Sequence, residues 1–92
     1  MQRRRLNGWC MSTREKAHAH LKKRLRLPDY YGNNLDALCD CLTEMGEITE
    51  ITLVHAAYMR GRLGPYGTKL VSVLLAATGE NPKLHVCIRE RW

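Results

Sequence analysis

The spacing of apolar residues changes several times along the chain, and each change marks an element. Leu84, Val86 and Ile88 alternate with His85, Cys87 and Arg89, so Lys83–Arg89 reads as a half-buried strand. Glu50–Val54 reads the same way on its β-branched Ile51, Thr52 and Val54. Leu35, Leu38, Leu42 and Met45 recur at intervals of three and four, which predicts a helix from Leu35 with one apolar face flanked by Cys39 and Cys41. Asn33 or Asn34 can cap it, and Gly32 before them suits a backbone conformation that other residues resist. Ala17, Leu21 and Leu25 define an earlier helix face, with Arg14, Lys22, Lys23 and Arg26 left in water. Ser12 and Glu15 fit a capping box that starts this helix near Thr13. Pro28 ends it near Leu25 or Arg26.

Other segments are less periodic. Arg3–Leu6 is a short strand with a poor pattern, followed by the turn signal Asn7-Gly8. Ala56–Leu63 is ambiguous between loop and short helix. Gly64-Pro65 opens a helix that is apolar almost all round from Leu70 to Ala77, with Gly79 as a natural C′ residue. Such a helix is either well buried or offers an apolar patch to a partner. Arg89–Trp92 reads as a frayed tail. The order strand, helix, helix, strand, helix, strand implies parallel pairing through helical crossovers, an α/β fold. Ninety-two residues suit one domain, 1–92, with a small core.

Charge singles out one stretch of this pattern. The chain carries a net +6, yet no Lys or Arg lies between Arg26 and Arg60. That interval holds six carboxylates: Asp29, Asp36, Asp40, Glu44, Glu47 and Glu50. Residues 1–26 hold nine bases and one acid, and residues 60–92 hold six and two, so the total is 8 − 6 + 4 = +6. Asp36, Asp40 and Glu44 stand four apart, a carboxylate stripe beside the apolar face. Like charges at that spacing cost a few tenths of a kcal/mol per pair, roughly. A solvated helix face is the ordinary reading of such a stripe. Without interleaved cations, and beside two tyrosines and a glycine turn, it also reads as a surface prepared for a cationic partner.

The run Leu27 to Thr43, LPDYYGNNLDALCDCLT, closely resembles the signature L-P-x-Y-Y-G-x-N-L-D-A-L-x-D-C-L-T of the barstar family, intracellular inhibitors of barnase-type ribonucleases. Leu6-Asn7-Gly8 and Leu21-Lys22-Lys23 resemble the family's first turn and first helix, and the resemblance thins beyond about Glu50. It implies a barstar-like α/β fold: a three-stranded parallel sheet with three to four packed helices in a single small domain. It also implies an extracellular-type microbial ribonuclease, barnase-like, or a related cationic enzyme as partner. In that family the acidic helix and its preceding loop plug the enzyme's cationic active site, where carboxylates replace RNA phosphate. By this resemblance Asp40 matches the central anchor and Asp36 its acidic neighbour. Tyr30 matches the tyrosine that packs on the enzyme's catalytic residues, and Gly32 and Asn34 match contacts close to the loop backbone. The expected partner-binding set is Tyr30, Gly32, Asn34, Asp36, Cys39, Asp40, Glu44, Met45 and Glu47. Three positions depart from the family pattern. Cys39 and Met45 stand where tryptophans are common, and Ala76 sits near the place of a glutamate on the last helix, for which Glu80 is a possible substitute.

The remaining chemistry is sparse. There is no G-x-S-x-G, phosphate-binding glycine loop or H-E-x-x-H, so no enzyme activity, cofactor or metal is expected. Cys10, Cys39, Cys41 and Cys87 lack zinc-site spacing and read as small buried thiols. His18 and His20 are two apart, wrong for shared ligation on a helix, and read as solvated or partly packed. The N-terminus has bases but no apolar signal core, and no apolar run approaches the ~20 residues that span a bilayer. A cytoplasmic monomer without membrane contact is therefore expected. Two other readings stay open: a barstar-fold module for another cationic protein or toxin, and a basic RNA-binding protein using Arg3–Arg5, Lys22–Arg24 and Arg26. Direct nucleic-acid binding is disfavoured, because no recognised motif supports it and the central acids repel phosphate.

Overall fold

A computed structural model describes residues 1–92. Three parallel strands, β1 (Gln2–Asn7), β2 (Thr49–Val54) and β3 (Leu84–Ile88), form one sheet in the order β1-β2-β3. Four helices connect them: α1 (Arg14–Leu25), α2 (Leu35–Thr43), α3 (Ala56–Leu63) and α4 (Pro65–Glu80). The register aligns Arg4 with Ile51 and Val86, and Leu6 with Leu53 and Ile88. Both crossovers step in the same direction, so right-handed connections place all the helices over one face. Burial agrees with this. Leu6, Ile51, Leu53 and Leu84 share a core with Leu21, Leu38, Leu42, Leu70 and Leu74. Each such leucine is worth ~1.5–3 kcal/mol when fully buried. Arg3, Arg5, Glu50, Thr52, His85 and Cys87 alternate with these residues and line the sheet's uncovered face.

The ambiguous segment Ala56–Leu63 is helical and follows His55, which sits at φ 56. Gly8 explains how the chain turns here. A Cβ at Gly8 would overlap the His55 backbone carbonyl, so only glycine fits where the β1 end passes the start of α3.

Several expected boundaries move. Thr13, not Ser12, caps α1, because it takes the extended conformation and its Oγ1 accepts from the Lys16 N–H at 3.1 Å. The residue three beyond this cap is Lys16, so no reciprocal capping box forms. Gly79 does not end α4, which runs to Glu80 before Asn81 extends the chain. Leu70, Val71, Leu74 and Ala77 face the core while Leu75 stays exposed, so α4 buries one face and not its whole circumference.

The chain end docks instead of fraying. Ala56 and Ala57 donate backbone hydrogen bonds to the Arg89 and Glu90 carbonyls at 3.0 and 3.2 Å, and the His55 N–H donates to Arg91. The start of α3 has unpaired N–H groups to offer, and residues 89–91 supply the acceptors. Trp92 then packs edge-on against His55 and Trp9.

Candidate functional site

The site begins where α1 stops. Arg26 closes the helix in the left-handed conformation at φ 53, with its N–H on the Lys22 carbonyl. Leu27 is buried, and the Tyr31 N–H donates to the Pro28 carbonyl at 2.9 Å, closing a turn. The two adjacent tyrosines take opposite roles. Tyr31 is buried, with its hydroxyl 2.7 Å from His18 Nδ1. The other His18 nitrogen lies 2.5 Å from the Tyr66 hydroxyl. A Tyr–His–Tyr chain, buried at Tyr31 and His18 and half-buried at Tyr66, thus ties the turn to α1 and α4. Tyr30, by contrast, is 86% exposed and projects from the turn.

His18 is the supporting residue that its spacing from His20 concealed. It lies three before Leu21 and seven before Leu25, on the buried face, which corrects the solvated reading. Burial lowers its pKa and favours the neutral ring. Burial likewise pushes the Tyr31 hydroxyl above its ordinary value, followed by smaller effects of Cys41 and Tyr66. His20 is half-buried, and its Nε2 accepts the Asn7 N–H at 3.0 Å. Its pKa is lowered by burial, then by Arg24 and Lys23.

Asn33 holds the positive φ (54), not Gly32. Gly32 leaves room for the cap, since a Cβ there would approach Asn34 Nδ2 to 3.2 Å, a close contact, and the Ala37 Cβ to 3.4 Å, an ordinary one. Asn34 caps α2. Its Oδ1 accepts from the Ala37 N–H at 2.7 Å, while its Nδ2 donates to the Gly32 carbonyl at 3.1 Å. One side chain therefore fixes both loop and helix start. The far end of α2 is held from α4, where the buried Asn81 Nδ2 donates to the Leu42 and Met45 carbonyls, both at 3.0 Å. Lys83 Nζ adds a hydrogen bond to the Gly46 carbonyl at 3.0 Å.

On this clamped helix Leu38 and Leu42 are buried, while Asp36, Asp40 and Glu44 are exposed in a row. Four residues of helix rise about 6 Å, so the row spans roughly 12 Å. None of its carboxylates has a cationic partner, for the single ion pair of the molecule joins Arg60 to Glu90 on the other side of the chain order. The field of the row reaches its neighbour. Burial raises the Cys41 pKa, and the Glu44 and Asp40 charges raise it further, so its thiol stays protonated.

Tyr30, Gly32, Asn34, Asp36, Asp40 and Glu44 are all exposed on the loop and α2. Cys39 is half-buried, and Met45 packs partly against the core, so neither presents a broad contact surface. Glu47 is exposed but lies apart, in a groove it shares with Arg4, Arg26 and Met45. On α4, Ala76 and Glu80 are exposed. All four cysteines are free thiols and none is buried, which corrects the buried reading: Cys10 and Cys87 are exposed, one beyond β1 and one on the sheet's uncovered face, and Cys39 and Cys41 only flank the apolar face of α2. No group of three His, Cys, Asp or Glu residues is placed to hold a metal ion. No helix is long and apolar enough to cross a membrane.

Residues 1–89 match the family model described as Barstar (barnase inhibitor). The chain is also 36% identical over 76 residues to a Bacillus subtilis (strain 168) protein named "Putative ribonuclease inhibitor YrdF", covering 82% of this chain and 84% of that protein. The chain belongs to the barstar family of barnase inhibitors.

Proposed function

We propose that this protein inhibits a barnase-type ribonuclease by seating the 27–34 loop and the acidic face of α2 in the enzyme's cationic active site. Family membership supports a barnase-inhibitor-like role and no catalysis of its own. The observation that carries the mechanism is the unpaired, exposed row Asp36, Asp40 and Glu44 on a helix clamped at both ends. Preorganisation matters here, since a surface already in its bound shape spends little free energy on ordering when it docks. Asp40 is the central phosphate mimic, accepting charge-assisted hydrogen bonds from Arg, Lys or His of the enzyme. Asp36 supports it, and Tyr30 covers the catalytic residues. Gly32 and Asn34 keep the loop low enough for its backbone to approach.

Cys39, Met45 and Ala76 alter this face relative to the family pattern. Two broad rings and one carboxylate are missing, so contact area shrinks and specificity shifts to a ribonuclease shaped for a smaller ridge. The net +6 opposes approach to a basic enzyme. Screening confines that repulsion to ~8 Å at physiological salt, within which Asp36 and Asp40 dominate. Steady-state kinetics with an RNA substrate test the reading. A phosphate mimic raises the apparent KM and leaves kcat unchanged. Inhibition that lowers kcat alone would place the contact outside the RNA site.

A further inference from the structure

The sheet face away from the helices carries a second charged surface that the acidic site does not use. Arg3 and Arg5 of β1 project from it, and Arg89 follows β3. Arg24 joins them from α1, its Nε donating to the Arg5 carbonyl at 2.8 Å. These arginines line a shallow basin of about 470 Å³ with Glu50 as its one carboxylate. With Arg4 at the edge, five guanidiniums less one side-chain carboxylate leave 5 − 1 = +4. Lys22, Lys23 and Arg26, grouped with these bases by sequence, lie outside the basin, whereas Arg89 enters it from 65 residues beyond Arg24 (89 − 24).

Aromatic rings stand at the same end. Trp9 stacks on His55 with centroids 3.8 Å apart and planes 12° apart, and Trp92 meets both edge-on. Trp92 lines the basin and is 69% exposed, and Trp9 is 54% exposed. His55 is buried beneath them, and its Nε2 has no hydrogen-bond partner. The cluster is therefore held by stacking and by the docked chain end, which leaves ring surface open.

We propose that this sheet face binds single-stranded RNA. Every cation in the basin is arginine, whose planar fork pairs with phosphate oxygens better than a lysine ammonium does. Exposed indoles beside a basic strand surface offer stacking to unpaired bases, which a duplex keeps inside. A three-stranded face has room for a few nucleotides, not for two helical grooves. Of the six central acids that oppose phosphate binding by sequence, Glu50 alone lines the basin, while Asp36, Asp40 and Glu44 follow α2 in the layer behind the sheet. Single-strand binding here is independent of ribonuclease inhibition through α2.

The test is fluorescence anisotropy of a labelled 12-nucleotide oligouridylate over a range of salt. Four phosphate contacts give a slope of log K against log salt of about −3, at roughly −0.7 per contact. Arg3→Gln with Arg5→Gln should flatten that slope by about 1.4. Arg62→Gln with Lys69→Gln removes the same charge from exposed positions on the helical layer and should leave the slope unchanged. Trp92→Ala should weaken binding on the order of tenfold without altering the slope. Asp40→Ala should bind RNA as the parent does, which separates this surface from the inhibitory one. Circular dichroism checks that each variant is folded. Equal slope changes in the two charge pairs would overturn the proposal, since they indicate long-range attraction alone. Equal or tighter binding of a 12-base-pair duplex, or of phosphatidylserine vesicles in place of the RNA, would also overturn it.

Discussion

Tyr31→Phe removes one hydroxyl and leaves the ring, so it isolates the hydrogen bond that ties the inhibitory loop to α1. Tyr31 and His18 are both buried, with 2.7 Å between the hydroxyl and Nδ1. A neutral imidazole carries one donor and one acceptor nitrogen. Tyr66 serves the other nitrogen at 2.5 Å, so the variant leaves Nδ1 in a dry site without its partner. That omission costs about 1–3 kcal/mol. In a domain of this size it lowers Tm by on the order of 10 °C. Urea unfolding at pH 8, followed by far-UV circular dichroism, reads the loss. Tyr30→Phe is the control, because Tyr30 is exposed and its change should stay within about 0.5 kcal/mol. Equal stability of the two variants would refute the role given to the buried chain. The same node sets a pH dependence. Burial lowers the pKa values of His18 and His20 in the folded state, so the unfolded chain binds more protons as pH falls through ~6.5. Stability is fully present above that pH and declines below it until the folded-state values are reached. The slope is at most about 1.4 kcal/mol per pH unit for each histidine. A flat or rising profile from pH 7 to 5 would contradict this.

Other predictions test the scaffold. Asn34→Ala removes the α2 cap and should cost about 1 kcal/mol in urea unfolding, with inhibition weakened further because the loop loses its tie to Gly32. Asn81→Ala removes the donor to the Met45 carbonyl and leaves the Leu42 carbonyl only the longer Met45 N–H contact at 3.4 Å, and should cost on the order of 2–3 kcal/mol by the same assay. Gly8→Ala forces a Cβ into the His55 backbone carbonyl, so the soluble yield and the cooperative melt should both be lost.

What was legible in the sequence was local. Alternation placed β3 and spacing placed α1 and α2, because burial on one face imposes a period on the residues themselves. The Leu27–Thr43 run carried the family, and family membership carried the sheet. What escaped detection needed partners far along the chain. His18 looked like one of two stray histidines until Tyr66, 48 residues on, supplied its second hydrogen bond. Trp92 looked like a loose end because nothing nearby shows that Trp9 and His55 wait for it. Gly32 and Gly79 drew the conformational role that glycine often plays, yet Asn33 takes the positive φ and Asn81 ends α4. At the second place the Asn81 side chain also supplies hydrogen bonds that glycine lacks, and at the first the neighbouring Asn34 supplies the cap. The acidic row could be read from spacing, but its lack of ion pairs required the placement of every cation.

The most direct measurement is inhibition of a barnase-type ribonuclease by this protein and by its Asp40→Ala variant, at matched fold content by circular dichroism. Two lost charge-assisted hydrogen bonds at ~1.5–3 kcal/mol each predict inhibition weaker by about 10²- to 10⁴-fold. Equal inhibition by both proteins would contradict the claim that a carboxylate of α2 takes the place of phosphate.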